Sequence, residues 1–531
     1  MRLTRLFKRD ETYLVLAASV VSILSFLYFY LQGTTLGYKD MYSHLEIGRR
    51  IIVGESTGFG QLGGIWLPLQ HILMIPLVWN DFLYLTGLAG SLLSMGAFVT
   101  SIVALYKIIN HLTGSRVGGY VAAAIFGLNP NVLYLQSTAM TELIMYATTL
   151  LAMWGILLWL KTDQYNYLLL AAFATFALSL TRYEGWVLAV VFVAVVLYGC
   201  IRKRYALFSG DQKGQGLVLA FAFFALLGIL GWMGWNWLIF NDPLNWMKGE
   251  YSSSEQVSTQ VLSQVGDLGA SIMTYYYAMI ENIPLALLLL AAAGLVVILV
   301  REKLSAESAV VLSVLVIIPF FMYGLFSGQQ PMHVEQIDGD LYNLRFGVFA
   351  VLPVSLLIGY VVAQAPKPEA MRSLFVVSGG AIVATFSVAM LALSLVGNGD
   401  GIITQREARS SIAGMQEQKD VADFLSSETQ GRILMESFNN ERALFDVQSR
   451  VIYEGAEFLW SSSLVDPTGS QNRIDVIVMR TMSGNTDKVF EALHEVPVMF
   501  EYEEILRTDH YLVYEKKGQL FSDEISSANR P

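Results

Sequence analysis

The sequence predicts a polytopic α-helical membrane protein of about eleven transmembrane helices with a small C-terminal α/β domain. Three observations carry that prediction. Of the 531 residues 54% are hydrophobic and only 15% charged, with a mean hydropathy of +0.50, a balance that a water-soluble globular chain does not show. Apolar runs of about 17 to 25 residues, the length that crosses a hydrocarbon core, recur along the first three quarters of the chain. Past residue 396 these runs stop, and short alternating stretches separated by polar turns replace them.

The expected spans are 13–31, 82–109, 117–130, 139–160, 165–181, 185–200, 217–239, 283–300, 307–326, 345–364 and 373–396. Loop charge orients them. With the N-terminus in the cytoplasm, the inner loops hold 15 basic residues and the outer loops before residue 397 hold 6, the bias of a positive-inside protein. An odd number of spans then places the C-terminal domain outside the cytoplasmic membrane. The basic stretch Arg2 to Arg9 precedes a long apolar run without a small-residue cleavage site, so it reads as the first span and not as a secretory signal. Cys200 is the one cysteine, so the outer domain has no disulfide and no cysteine-based zinc site is possible. No Gly-x-x-x-x-Gly-Lys phosphate loop is present, which argues against an ATP-driven pump.

Polar chemistry gathers on the outer loops. The first of them, Tyr38 to Pro76, is the most polar stretch of this half. As a helix from about Asp40 to Val53 it places Met41, Leu45, Gly48 and Ile52 on one side and Asp40, Ser43 and His44 on another, the pattern of a helix lying on a membrane. An acid and an imidazole one turn apart suit proton handling. Trp66 to His71 then forms a Pro-punctuated segment too short to span.

Asn129-Pro130-Asn131 reads as a tight outer turn leading to Glu142. Arg182 and Glu184, two residues apart, would diverge on a continuous helix, so a break at the membrane surface is needed for them to meet. Tyr183 and Trp186 beside them fit an aromatic belt. Ser252 and Glu255 fit a capping box, and Val257, Val261, Val265, Leu268 and Ile272 follow at helical spacing, so a second interfacial helix is expected near 254–280. Before the tenth span, His333, Glu335, Asp338 and Asp340 form an acidic loop whose oxygens can hold a divalent cation near Asp338 and Asp340. Arg345 follows, with apolar residues immediately after it, at the depth where a guanidinium can clamp a lipid phosphate or simply snorkel.

Beyond the NGDGIITQ linker, Glu407 to Ser426 and Asp487 to His494 read as helices. Ile433 to Met435, Val451 to Tyr453, Ile474 to Met479, Phe500 to Leu506 and Tyr511 to Glu515 read as strands. The expected domains are thus 1–396 and 397–531. The second has 13 basic and 23 acidic residues, which makes nucleic acid and anionic headgroups poor partners for it.

Transport is the main alternative function, as a transporter or flippase of a lipid-linked or polar solute; a purely structural membrane protein is another. Transport usually places ionisable groups or broken helices near the midplane. Here the carboxylates and arginines lie at the outer helix ends.

The run YKDMYSHLEIGRR with WLPLQH, then STAMTEL, TRYEGW and YNLRFGVFAVLP, resembles the GT-C superfamily of membrane glycosyltransferases. The nearest group is family 39, the protein mannosyltransferase-like enzymes together with the bacterial aminoarabinose transferases. The WWDYG motif of the oligosaccharyltransferases is absent, and the Asp-Glu pair of eukaryotic members is here Asp40-Met41. The resemblance implies a polyprenyl-phosphate sugar donor and inverting transfer of one hexosyl or pentosyl unit to an extracytoplasmic protein, lipid or glycan. It implies Asp40 as general base, with His44 or Glu142 assisting. Arg345, Arg182 and Lys248 are the cations available to a leaving polyprenyl phosphate. Glu184, Tyr342, Asn343 and His71 are the expected substrate contacts, and no metal or other cofactor is required.

Overall fold

The computed structural model describes residues 9–208, 212–253, 262–364, 401–469, 472–482 and 485–518. The expected span 373–396 lies outside the described residues. The ten expected spans before it each coincide with a helical segment, from Arg9–Leu31 to the stretch Leu344–Ala350 and Val351–Ala363. Eight of the described helical segments are long and apolar enough to cross a membrane, and the chain is a multi-pass membrane protein. Tyr165–Ser179 and Leu69–Val78 are apolar but shorter, and the expected third span is the 12-residue helix Arg116–Gly127.

The chain divides into two compact units, one of Met1–Gly37, Gly64–Leu73 and Thr86–Ser410, the other of Tyr38–Gly63, Met74–Leu85 and Ser411–Pro531. In the first unit, small residues let helices approach closely. A Cβ on Gly118 would stand 2.5 Å from the Gly359 carbonyl oxygen and 2.7 Å from Ala363, and one on Gly359 would stand 2.7 Å from Ala122. Gly118 and Ala122 on one helix thus face Gly359 and Ala363 on the other, the small-xxx-small packing that brings backbones together in lipid.

Two local expectations change here. Asn129 does not make a simple turn; its side chain accepts from the Asn131 and Val132 amides and caps a short buried helix, Pro130–Leu135. The helix expected near 254–280 is seen as Leu268–Asn282, capped by Asp267 accepting from the Ala270 amide at 2.9 Å. Glu255 and Val257 lie outside the described residues.

The second unit is built on a sheet of strands β1 (Ile433–Leu434), β2 (Val451–Ile452), β3 (Val476–Met482), β4 (Asn485–Thr486), β5 (Tyr502–Arg507) and β6 (Tyr511–Lys516) in the order β2-β1-β3-β6-β5, with β4 folded back on β3. β1 runs parallel to β2 and β3, whereas β6 is antiparallel to β3 and β5. The two-residue period of a strand sends Val476 and Val478 into one core with Val421, Leu425 and Tyr453, and Ile477 and Met479 into the other with Val489 and Tyr502. The helix expected over Glu407 to Ser426 is two helices, Ile403–Gly414 and Gln416–Glu428.

The stretch read as an interfacial helix of the membrane part packs in this second unit. Helix Lys39–Arg50 buries Met41, Tyr42, Leu45 and Ile47. The Tyr42 ring meets Phe445 edge-on at 4.9 Å, Tyr84 stacks on Phe445 at 4.3 Å, and Arg50 lies 5.2 Å from the Tyr453 ring. Gln61 donates to the Gly455 carbonyl at 3.0 Å, and Gln448 to that of Val53 at 3.1 Å. The apolar side that looked made for lipid is therefore covered by protein.

Candidate active site

Three helical segments of the first unit begin with the residues that matter. Glu142 opens Glu142–Thr162, Glu184 opens Glu184–Arg202, and Arg345 lies in the 3-10 turn Leu344–Ala350 that leads into Val351–Ala363. The positive end of a helix dipole favours a carboxylate at such a position. Between Tyr165–Ser179 and Glu184–Arg202 the helix breaks, and Arg182 in that break folds back on both acids.

Arg182 Nη1 is 3.1 Å from Glu142 Oε1 and donates to the Thr141 hydroxyl at 2.9 Å. Its Nη2 and Nε donate to Glu184 Oε1 at 2.8 and 3.2 Å. Arg345 Nε lies 3.5 Å from Glu142 Oε1. Glu142 is fully buried, Glu184 and Arg345 nearly so. Phe349 and Phe346 lie 5.1 and 5.6 Å from the Arg182 guanidinium, and Phe346 lies 5.3 Å from that of Arg345, within cation–π range. Two guanidiniums and two carboxylates thus balance in charge out of water. Such an arrangement persists only while every partner is present.

Other segments of this unit pack around the break. Leu69 donates its amide to the Leu180 carbonyl at 3.0 Å, Gln70 donates to the Ala139 carbonyl at 2.5 Å, and the Tyr183 hydroxyl to that of Ile65 at 2.5 Å. This seats the Pro-punctuated segment, with fully buried His71, against the residues flanking Glu142 and Arg182. Tyr183 stacks on Trp246 at 4.6 Å, and Trp186 meets the same ring edge-on at 4.8 Å. Lys248 is exposed at the end of the short helix that carries Trp246.

Asn343 is occupied differently from the expected substrate contact. It holds a left-handed φ of 58° and donates its side-chain amide to the Pro331 carbonyl at 2.9 Å, so it shapes the turn before Arg345. Tyr342 is exposed and bridges to His333 through the backbone. Asp338 accepts from the Gln264 amide at 3.1 Å, the Ser263 hydroxyl at 3.2 Å and the Val334 amide at 3.0 Å. Asp340 faces His333 Nδ1 at 2.9 Å, and Glu335 pairs with Arg406 at 2.6 Å. Among the described residues no group of three or more His, Cys, Asp or Glu side chains is placed to hold a metal ion.

Asp40 and His44 belong to the second unit. Asp40 is half-buried in the first turn of Lys39–Arg50. His44 was expected on a wet face but is buried at 1% exposure, because the helix is packed over more of its circumference than one apolar stripe. Glu441, whose Oε1 accepts from the Asn439 amide at 3.0 Å, interacts electrostatically with Lys39 and Asp40; burial first, then Asp40, raise its carboxyl above the ordinary range, against Lys39.

Sequence reasoning missed Thr141 as a partner of Arg182, although it adjoins Glu142. It also missed Glu441, whose nearness to Asp40 spans some 400 residues of chain and leaves no local signal.

No family model and no curated protein matches the sequence. Solved structures do. ArnT from Cupriavidus metallidurans bound to undecaprenyl phosphate is 13% identical, with a TM-score of 0.56 over 95% of this chain and 97% of that one. The same protein in the apo state gives a TM-score of 0.52 at 13% identity over the same shares. Along nearly its whole length, the chain has the fold of ArnT.

Proposed function

We propose that the chain is an inverting glycosyltransferase that moves a single sugar from a polyprenyl-phosphate donor to an acceptor outside the cytoplasmic membrane. The observation that carries this reading is the buried set of Arg182, Arg345, Glu142 and Glu184 at converging helix starts. Guanidiniums prepositioned where membrane helices begin suit the phosphate of a lipid whose tail holds it at that depth. The fold of ArnT, solved with undecaprenyl phosphate bound, is consistent with such a donor.

In this reaction an acceptor hydroxyl attacks the anomeric carbon, the new bond forms on the opposite face, and the bond to the phosphate oxygen breaks. The electron pair leaves with the phosphate, where Arg345 offsets the growing charge. Arg182 already gives bonds to Glu142, Glu184 and Thr141, so its part is to hold the carboxylate that aims Arg345. Asp40 is proposed to take the acceptor's proton.

The test is turnover by the purified full-length chain in liposomes, offered polyprenyl-phosphate sugars and nucleotide sugars separately. Turnover with a nucleotide sugar alone overturns the reading, and flux of a lipid-linked solute without bond formation replaces it with a flippase.

A further inference from the structure

On helix Glu142–Thr162, Glu142, Tyr146 and Thr149 lie four and three residues apart and therefore share one face. All three are fully buried. Glu142 Oε1 serves both arginines, but Glu142 Oε2, the Tyr146 hydroxyl and the Thr149 hydroxyl have no hydrogen-bond partner among the described residues. Three such atoms on one helix face are unusual, because buried polar groups are nearly always satisfied. Long side chains on a helix lean toward its N-terminus, which aims the Tyr146 phenol at the turn that carries Glu142. Its ring is packed between Phe126, edge-on at 5.2 Å, and Phe349 at 5.4 Å. Glu142, the Tyr275 phenol, Arg182 and Glu184 all act electrostatically on its hydroxyl, Glu142 first among them.

We propose that Tyr146 is a positioning residue for the arginine pair: one buried water joins its hydroxyl to Glu142 Oε2 and thereby keeps Oε1 turned toward Arg182 and Arg345. A phenol is a donor, a carboxylate oxygen an acceptor, and a water between them meets two of its usual partners. The Thr149 hydroxyl continues the same face one turn further into the helix. Without this tether the carboxylate is free to rotate about its last bond and share its oxygens differently between the two guanidiniums. The inference about ligand binding rests on the proposed function; the Tyr146–Glu142 link does not.

Two measurements on the purified full-length chain test it. The first is thermal unfolding without ligand for the native protein, Tyr146→Phe, Glu142→Gln and the double variant. Tyr146→Phe is expected to lower the unfolding temperature in the native background and to change it little beside Glu142→Gln, since coupled residues are not additive. An equal drop in both backgrounds means that the phenol only packs, and overturns the link. The second is binding of undecaprenyl phosphate and of undecaprenol. Tyr146→Phe should weaken the phosphate lipid by about three- to tenfold and leave the alcohol unchanged. Equal loss for both lipids, or no loss, overturns the positioning role. A native protein that binds both lipids alike defeats the functional reading itself, and the unfolding cycle still decides the link.

Discussion

Arg182 and Arg345 meet on one atom, Oε1 of Glu142, at 3.1 and 3.5 Å. Two cations of the same sign are thus held within reach of each other by a single carboxylate, and that arrangement makes their substitutions distinguishable.

Arg345→Ala is expected to weaken binding of a polyprenyl phosphate by about 1.5 to 3 kcal/mol, the worth of a charged hydrogen bond. Its cost in stability should be smaller than that of Arg182→Ala, because Arg182 still pairs with Glu142 and Glu184. Lys at this position should restore only part of the affinity, as an ammonium lacks the planar fork. Equilibrium binding with the solubilised protein checks this, and native affinity in Arg345→Ala would reduce the residue to a membrane anchor.

Arg182→Ala should act on stability instead. It strands Glu142 and Glu184, both buried, and breaking a buried pair in this way costs about 3 to 5 kcal/mol. A loss of folded protein in thermal or chemical unfolding, larger than that of Arg345→Ala, is the expected result.

Asp40→Asn keeps the side chain's shape and removes its proton acceptor. Turnover should fall by roughly 10² to 10⁴ while donor binding holds. Near-native turnover would move the base elsewhere.

The second unit should lose stability as pH rises. Burial, with Glu454 and Glu441 adding to it and Arg50 opposing, pushes the Glu46 carboxyl up to about 8, and burial takes Glu436 to about 7. The Arg50–Glu46 contact of 3.6 Å is too long for a hydrogen bond and does not offset that burial. The folded unit keeps protons that the unfolded chain releases above the ordinary value of 4.5, so stability declines from there to about pH 8. Protease resistance of residues 411–518 should be greater at pH 5 than at pH 8.5, and Glu46→Gln should flatten the difference. Equal slopes in both proteins would rule Glu46 out as a source.

Much of this architecture was legible because its signals are local. Apolar length placed ten helical segments, and the two-residue spacing of Arg182 and Glu184 required the helix break that the structure contains. The short β-branched apolar run Ile474 to Met479 marked the central strand, which is buried on both faces. The rest depends on pairings far apart in sequence. Nothing near Glu142 announces Arg345, which arrives through a turn shaped by Asn343. His44 read as a polar-face residue because the elements that pack on its helix, including Glu441–Phe445, come some 400 residues later. The two halves of the long helix expected over Glu407 to Ser426 have no Pro between them, and the break at Gly414 and Met415 was not marked strongly enough to see.

The packing of Lys39–Arg50 against residues near Phe445 also sets a timetable. Gln448 reaches Val53 across 395 residues and Gln61 reaches Gly455 across 394. At about 5 to 20 residues per second of synthesis, the helix bearing Asp40 waits roughly 20 to 80 seconds for the residues that cover it. A chain cut short before Phe445 lacks the ring that covers Tyr42 and Tyr84, however well its membrane helices have assembled. Synthesis past Gly455 and the covering of the helix that bears the proposed base are therefore linked, and a shorter copy carries its own mark of immaturity.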